Sequence, residues 1–312
     1  MGPWSEARAI LGLWRLLRLQ RPSIVHLVTP KITLMAGIVA RILNIPTVAA
    51  ISGLGHLFVH PSIRARLGRE ILMLGWRIGL RRKNCIIIFQ NETDRSLFVD
   101  RGIVRPENAV LIPGSGVDTQ RIKPSPPLPG TPVVILPARL LYSKGVEDFV
   151  RAAEILRAKG VDARFVLVGD PDPENPASIP LPVIQAWDTQ GIVEWQPFRA
   201  DIGHALAQSH IVALPSHREG FPKSLVDAAA AGRPTVTTDV PGCRDAVVDG
   251  STGLICRVSD PQDLANKLQT LIERPELREK MGKAGCELAE SRYAISLIVA
   301  AHMDIYRRLV IK

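Results

Sequence analysis

Two cations and two carboxylates stand where a folded chain could use them. In VVILPARLLYSKGVEDFVRAAEIL (133–156) an apolar run ends at Pro137, Arg139 and Lys144 follow, and a helical pattern begins near Val146. Cations at a strand-to-helix turn, beside the positive end of a helix, suit a diphosphate. In LPSHREGFPKSLVDAAAAGRPTVTTDVPGCRDAVVDGSTGLI (214–255) Glu219 precedes a helix whose first turn accepts Pro222 and which runs to Gly232. Asp227 lies eight residues beyond Glu219, inside that helix. The two carboxylates accept hydrogen bonds from sugar hydroxyls, and N–H groups at a helix start meet phosphate. As chemistry alone, the pattern describes a polyol or phosphate site. Asp170-Pro171-Asp172 has the spacing of a metal-binding pair, but it directly follows the strand-like run FVLVG and reads as a turn. No metal and no cofactor are expected.

The elements that must position these groups are short apolar runs alternating with helical patterns, an α/β arrangement of parallel sheets. Strands are expected at Ile24–Val28, Thr47–Ile51, Cys85–Phe89 and Val110–Ile112, then at Val133–Pro137, Arg164–Val168, Ile192–Trp195, Ile211–Leu214, Thr235–Thr237 and Gly253–Cys256. Runs such as CIIIF, FVLVG and IVALP suit strands covered on both faces. The stretch KPSPPLPGTP (123–132) holds five prolines and a glycine, and can continue neither a helix nor a central strand. It divides an N-terminal domain (1–122) from a second domain (133–292), followed by a C-terminal helix (293–312) expected to cross back to the first. The N-terminal domain shows no strand and no Gly-rich turn before Ile24, so it is expected to lack its first strands.

The motifs together resemble the retaining glycosyltransferases of family 4. The resemblance rests on the Arg139/Lys144 turn, Glu219-Gly-Phe-Pro, PGCRDAV (241–247) and GSTGLI (250–255), in order and spacing. HLVTPK (26–31), AISGLGHLF (50–58), FQNETDR (89–95) and IPGSGVD (112–118) further resemble the branch that acts on polyprenyl-diphosphate-linked sugars. The resemblance implies the GT-B fold, two Rossmann-like domains facing across a cleft. It implies that Arg139 and Lys144 hold the diphosphate of a nucleoside-diphosphate sugar, UDP-linked by preference, and that Glu219 holds the sugar hydroxyls. Gly220, Phe221 and Pro222 would shape the sugar pocket, and Ser224 and Leu225 would lie near the phosphates. The family's ribose-binding Glu is here Asp227, one methylene shorter. On the acceptor side Ser52-Gly53 stands where many relatives have His-Gly, and His56 follows three residues later. A hexosyl or N-acetylhexosaminyl group would pass to a lipid-linked or saccharide acceptor in cell-surface glycan synthesis.

The net charge of +9 is uneven. Residues 1–127 hold 18 Lys and Arg against 7 Asp and Glu, while residues 128–312 hold 21 against 23. Residues 64–83 alone carry seven basic residues, with Leu67, Ile71, Leu74 and Ile78 at helical spacing. Ile10, Leu13, Trp14 and Leu17 form a similar stripe near the start. Two readings stand for each stripe: it faces a core, or it lies on an anionic membrane. A nucleic-acid partner is not expected, because aromatics interleaved with the basic residues are missing. No apolar run reaches the roughly 20 residues that span a bilayer. The four cysteines show no metal or disulfide spacing. A cytoplasmic enzyme, peripheral on the inner face of the membrane, is the expectation. The alternative is a shortened, inactive or binding-only sugar-nucleotide-binding remnant.

Overall fold

The computed structural model describes residues 3–54, 62–126 and 128–310. The chain forms two compact units, Met1–Gly114 with Ser296–Lys312, and Ser115–Ile295.

The first unit runs α1 (Pro3–Gln20), β1 (Val25–Val28), α2 (Pro30–Ile42), β2 (Thr47–Ile51), α3 (Ile63–Leu80), β3 (Cys85–Phe89), α4 (Glu92–Asp100) and β4 (Ala109–Leu111). Its strands pair in parallel in the order β1-β2-β3-β4. Each expected strand is present within one residue of its sequence-based bounds. The run CIIIF shows why β3 is apolar throughout. Cys85, Ile87 and Phe89 pack with Met73, Trp76 and Leu80 of α3 and with Phe98 of α4. Ile86 and Ile88 face the other way, against Ile298, Ile305 and Leu309 of the last helix. A sheet covered on both faces has no polar side to show.

The two amphipathic stripes part ways. In α1, Leu17 is buried with Val39 and Ala40 of α2, and Leu13 and Trp14 pack beside it. That stripe faces a core. In α3 the sheet-facing residues are a different set, Met73, Trp76 and Leu80, and Trp76 Nε1 donates to Thr33 Oγ1 at 3.2 Å. Leu67, Ile71, Leu74 and Ile78 are left 64%, 63%, 58% and 51% exposed.

The second unit runs β5 (Val133–Pro137), α5 (Val146–Ala158), β6 (Arg164–Val168), α6 (Leu181–Thr189), β7 (Glu194–Gln196), α7 (Ile202–Ala207), β8 (Ile211–Leu214), α8 (Lys223–Ala230), β9 (Thr235–Thr238), α9 (Cys243–Ala246), β10 (Gly253–Cys256), α10 (Pro261–Glu273) and α11 (Pro275–Leu288). The six strands are parallel, in the order β10-β9-β8-β5-β6-β7. Alternate residues again serve two cores. Val134, Leu136 and Leu167 pack with α5 and α10 on one face. Ile135, Val166 and Val212 pack with α8 on the other. The expected strand Ile192–Trp195 begins two residues later, because Ile192 N–H closes a turn on Trp187 O at 3.1 Å.

The division between the units falls after Gly114, ahead of the proline-rich stretch. Val117 N–H donates to Tyr293 O (2.8 Å), Ile295 N–H donates to Val117 O (2.9 Å), and Ile122 is buried beside α8, so these residues belong to the second unit. The stretch itself lies along that unit, where Ser125 Oγ accepts from Arg233 Nη2 at 3.0 Å. The helix expected at 293–312 is present from Ile295. A π-helical turn, Ala289–Tyr293, precedes α12 (Ile295–Val310), and α12 closes the second face of the first unit's sheet.

His210 makes one local tie sensitive to pH. Its Nδ1 accepts Val133 N–H at 3.0 Å, so its Nε2 donates to Leu128 O at 2.9 Å. Burial, helped by Arg278 and Arg233 and opposed by the Leu128 carbonyl, lowers its pKa below the usual 6.5. A depressed folded pKa gives stability that is full above the unfolded value and lost as pH falls through the folded one. Burial and His302 lower His26 in the same direction. Thermal unfolding between about pH 7 and about pH 5 should therefore show a falling midpoint, with a smaller fall in His210→Gln.

Candidate functional site

The order of the second sheet reverses about β5, with β6 and β7 on one side and β8 and β9 on the other. Sheets of this kind bind ligands outside the carboxyl ends of the strands at such a switch point. The loops leaving β5 and β8 start there. The first carries Arg139 and Lys144, the second Ser216 to Pro222.

The loops are joined. Lys144 Nζ donates to Glu219 Oε1 at 2.5 Å, with the two side chains 23% and 11% exposed. Ser216 Oγ donates to the same oxygen at 2.8 Å. His217 N–H reaches Ser143 O at 2.9 Å, adding a main-chain stitch. The approach is close enough to demand glycine. Gly145 has φ 70°, and a Cβ there would stand 1.9 Å from Pro215 O. Gly242, at φ 81°, presses the PGCRDAV loop on the same segment, where a Cβ would stand 2.5 Å from Gly220 O. Cys243 is buried beneath the ion pair, and burial first, then nearby Glu219, pushes its thiol up to about 12. It is an inert packing group at neutral pH.

The same two loops lead to a cavity of about 600 Å³, whose lining residues include neither Lys144 nor Glu219. Its walls come from the loops after β5 (Pro137, Ala138, Arg139), β6 (Gly169 to Pro173) and β7 (Phe198 to Ala200), and from Lys223, Ser224 and Asp227 of α8. Among the described residues, no side chain caps the start of α8. Its first N–H groups are thus offered to an anion. Arg139 Nη1 meets Asp172 Oδ2 at 2.9 Å, and the arginine side chain is 63% exposed. An exposed pair of this kind is worth about 0–1 kcal/mol. A phosphate taking two N–H groups at once competes well with it. Asp227 is nearly enclosed, and its Oδ1 accepts from Lys223 Nζ at 2.6 Å. Burial raises its pKa, and Lys223 opposes that rise.

Of the residues singled out from sequence, Arg139, Ser224 and Asp227 share the cavity wall. Arg139 and Lys144 do not converge on one partner: the first turns to Asp172, the second to Glu219. Gly220, Phe221 and Pro222 connect Glu219 to α8, and Phe221 meets Tyr293 edge-on at a centroid distance of 5.3 Å. Leu225 contributes packing: its side chain is buried with Leu214 and Val240, and its N–H bonds Pro222 O. Ser52 and Gly53 follow the carboxyl end of β2 in the first unit, with Gly53 at φ 131°. His56 lies outside the described residues. Sequence reasoning missed Lys223, whose spacing of four to Asp227 was the visible signal. It also passed over Asp170 and Asp172, which do sit in irregular backbone but line the cavity. Phe198 gave no signal, because 70% exposure of a phenylalanine is a tertiary fact. Among the described residues, no group of three or more His, Cys, Asp or Glu is arranged to hold a metal ion.

Residues 118–287 match the family model of the glycosyl transferases group 1, and residues 2–114 match that of the glycosyl transferase 4-like domain. The chain belongs to the group 1 glycosyl transferases. Over 276 residues it is 28% identical to N,N'-diacetylbacillosaminyl-diphospho-undecaprenol alpha-1,3-N-acetylgalactosaminyltransferase of Campylobacter jejuni, covering 84% of this chain and 70% of that protein. It is 28% identical over 166 residues to the capsular polysaccharide biosynthesis glycosyltransferase CapM of Staphylococcus aureus, covering 51% and 42% of the two chains. Among solved structures, Anabaena Alr3699/HepE in complex with UDP superposes with a TM-score of 0.79 at 20% identity, covering 97% of this chain and 82% of that one. That likeness is one of fold, and the fold of this glycosyltransferase is GT-B.

The crowding at Gly145 can be separated from its backbone angle. Gly160 has a similar φ of 73° with nothing within 4 Å of a built Cβ. Denaturant unfolding should show Gly145→Ala costing the glycosyltransferase at least about 1 kcal/mol more than Gly160→Ala, since only the first adds a backbone clash to the strained angle.

Proposed function

We propose that this glycosyltransferase moves a hexosyl or N-acetylhexosaminyl group from a UDP-linked sugar to a lipid-linked or saccharide acceptor, with retention of configuration, in cell-surface glycan synthesis. The observation that carries the proposal is the Lys144–Glu219 junction between two loops that lead to a cavity into which the uncapped start of α8 opens. The names of relatives support it. The Campylobacter protein is named for a diphospho-undecaprenol-linked acceptor, and the Anabaena structures hold UDP and UDP-glucose.

In this reading the diphosphate lies against the amides of Lys223 and Ser224 and exchanges Asp172 for itself on Arg139. Asp227 receives the ribose hydroxyls. Phe198, exposed on the cavity wall, offers a face to the base. Glu219 Oε2 takes a sugar hydroxyl while Lys144 holds Oε1 in place. The bond from the sugar C1 to the diphosphate oxygen breaks as the acceptor oxygen bonds to C1, and the leaving diphosphate takes the acceptor proton. The protein supplies position and stabilises charge on the departing group, with no protein nucleophile, metal or cofactor. A lipid-linked acceptor would hold the enzyme at an anionic membrane surface, on its cytoplasmic side.

A thermal-shift panel of UDP, GDP and their sugars tests this reading. Ligand at 100 times its Kd adds about 2.7 kcal/mol to stability, so UDP and its sugars should raise the midpoint and GDP should not. Arg139→Ala should weaken the response to UDP itself. Glu219→Ala should remove mainly the extra response to UDP-sugar over UDP, and Asp227→Glu should keep UDP affinity. No shift with any nucleotide would leave the proposal without support.

A further inference from the structure

The second unit holds another cavity, of about 800 Å³, at the amino ends of its strands. Its walls are the proline-rich stretch at 124–126, His210 just ahead of β8, residues 232–234 just ahead of β9, and one side of α11. The cavity after β5 lies at the carboxyl ends of the strands, and the two share no lining residue.

Arg233 marks this cavity as a site. The residue is 3% exposed. A cation so enclosed is ordinarily matched by a carboxylate. Its partners here are neutral oxygens. Nε donates to Leu206 O at 2.9 Å, and Nη2 donates to Ala207 O at 3.1 Å and to Ser125 Oγ at 3.0 Å. Among the described residues no acid pairs with the guanidinium, and nothing accepts from Nη1. Nor is Nη1 sealed in. The buried side-chain atoms left without a partner among the described residues are Arg82 Nε and Thr235 Oγ1. The free edge of Arg233 therefore opens on the cavity that the residue lines. Burial lowers its pKa, and of the neighbouring groups Cys286 alone opposes the fall.

The rest of the wall agrees in sign. Arg278 and Lys283 also line the cavity. Arg278 Nη1 closes the end of α10 by donating to Leu271 O and Ile272 O, each at 2.7 Å. Arg278 and Arg233 both act on the charge of His210, so the two guanidinium groups converge on one place. His210 itself is committed, with Nδ1 on Val133 N–H and Nε2 on Leu128 O. The acids of the wall, Glu276 and Glu279, are exposed, where water and salt screen them. No side chain caps the start of α11 among the described residues, and its first turn lines the cavity. Prolines, glycines and Cys286 supply much of the remaining surface, which is apolar. A space of this size suits a small molecule.

We propose that this cavity binds a small organic oxyanion, a phosphate or carboxylate carried on an apolar body. One anionic oxygen accepts from Arg233 Nη1, and Arg278 and Lys283 share the charge. The ligand gives the buried guanidinium a counter-charge that no carboxylate among the described residues supplies. The proposal does not rest on the transfer reaction, and it stands or falls apart from the nucleotide panel.

Cys286 reports on the cavity, because it lines the wall and is half-buried while Cys85, Cys243 and Cys256 are buried. The test is the rate at which N-ethylmaleimide labels Cys286 in the full chain, read by peptide mapping at matched ionic strength. Phenyl phosphate, benzoate and the neutral benzyl alcohol are the probes. At about 10 mM, ten times a Kd of about 1 mM, the fitting oxyanion should slow labelling about tenfold. Stronger protection by phenyl phosphate assigns a phosphate ligand, and stronger protection by benzoate a carboxylate. Benzyl alcohol should leave the rate unchanged. Arg233→Gln should abolish the protection. Lys283→Glu should weaken it with thermal unfolding unchanged, since that side chain is exposed, and it decides the matter if Arg233→Gln does not fold. Three results overturn the proposal: labelling unaffected by both oxyanions, equal protection by benzyl alcohol, or full protection retained in Lys283→Glu.

Discussion

The ion pair between Lys144 and Glu219 joins loops 75 residues apart in sequence and adjacent only because β5 and β8 are neighbours in the sheet. Much of the loop arrangement in the second unit depends on it. A carboxylate as enclosed as Glu219 needs a partner, and removing the partner of a fully buried charge costs about 3–5 kcal/mol. The lysine keeps part of its surface in water, so the cost here is smaller. The pair acts as a fixed point between the two loops. It sets where Glu219 stands relative to α8, which begins at Lys223 directly after Gly220, Phe221 and Pro222.

The other ionic contacts in the site behave differently because they are wetter. Arg139 is largely exposed and its tie to Asp172 is worth little, which makes the arginine free to exchange partners. Lys223 is mostly in water while Asp227 is not. Burial raises the Asp227 pKa, and the hydrogen bond and charge of Lys223 oppose that rise. A ligand bringing hydroxyl donors to Asp227 can take over part of that role. One enclosed pair beside two wetter ones is a physical division of labour: the first holds geometry, and the others can exchange partners.

The first unit uses the same parallel architecture for another end. Its sheet is enclosed by α3 and α4 on one face and by α12 on the other, and the chain returns from the second unit to supply that last layer. With the sheet satisfied by Met73, Trp76 and Leu80, the second apolar stripe of α3 is left exposed.

Much of this was legible in the sequence. Parallel strands buried on both faces must be continuous apolar runs, so CIIIF and FVLVG announced themselves, and the residues of the two loops were visible because glycine, proline and charge cluster only where a backbone turns or a ligand binds. What sequence could not supply was pairing. The partner of Lys144, the turning of Arg139 to Asp172, the entry of Asp170 and Phe198 into a cavity wall and the break between units after Gly114 all depend on which strands lie side by side. The α3 stripe makes the same point: its spacing was plain, but helical periodicity records only that two faces differ, and which face meets the core is decided by what the rest of the chain packs against it.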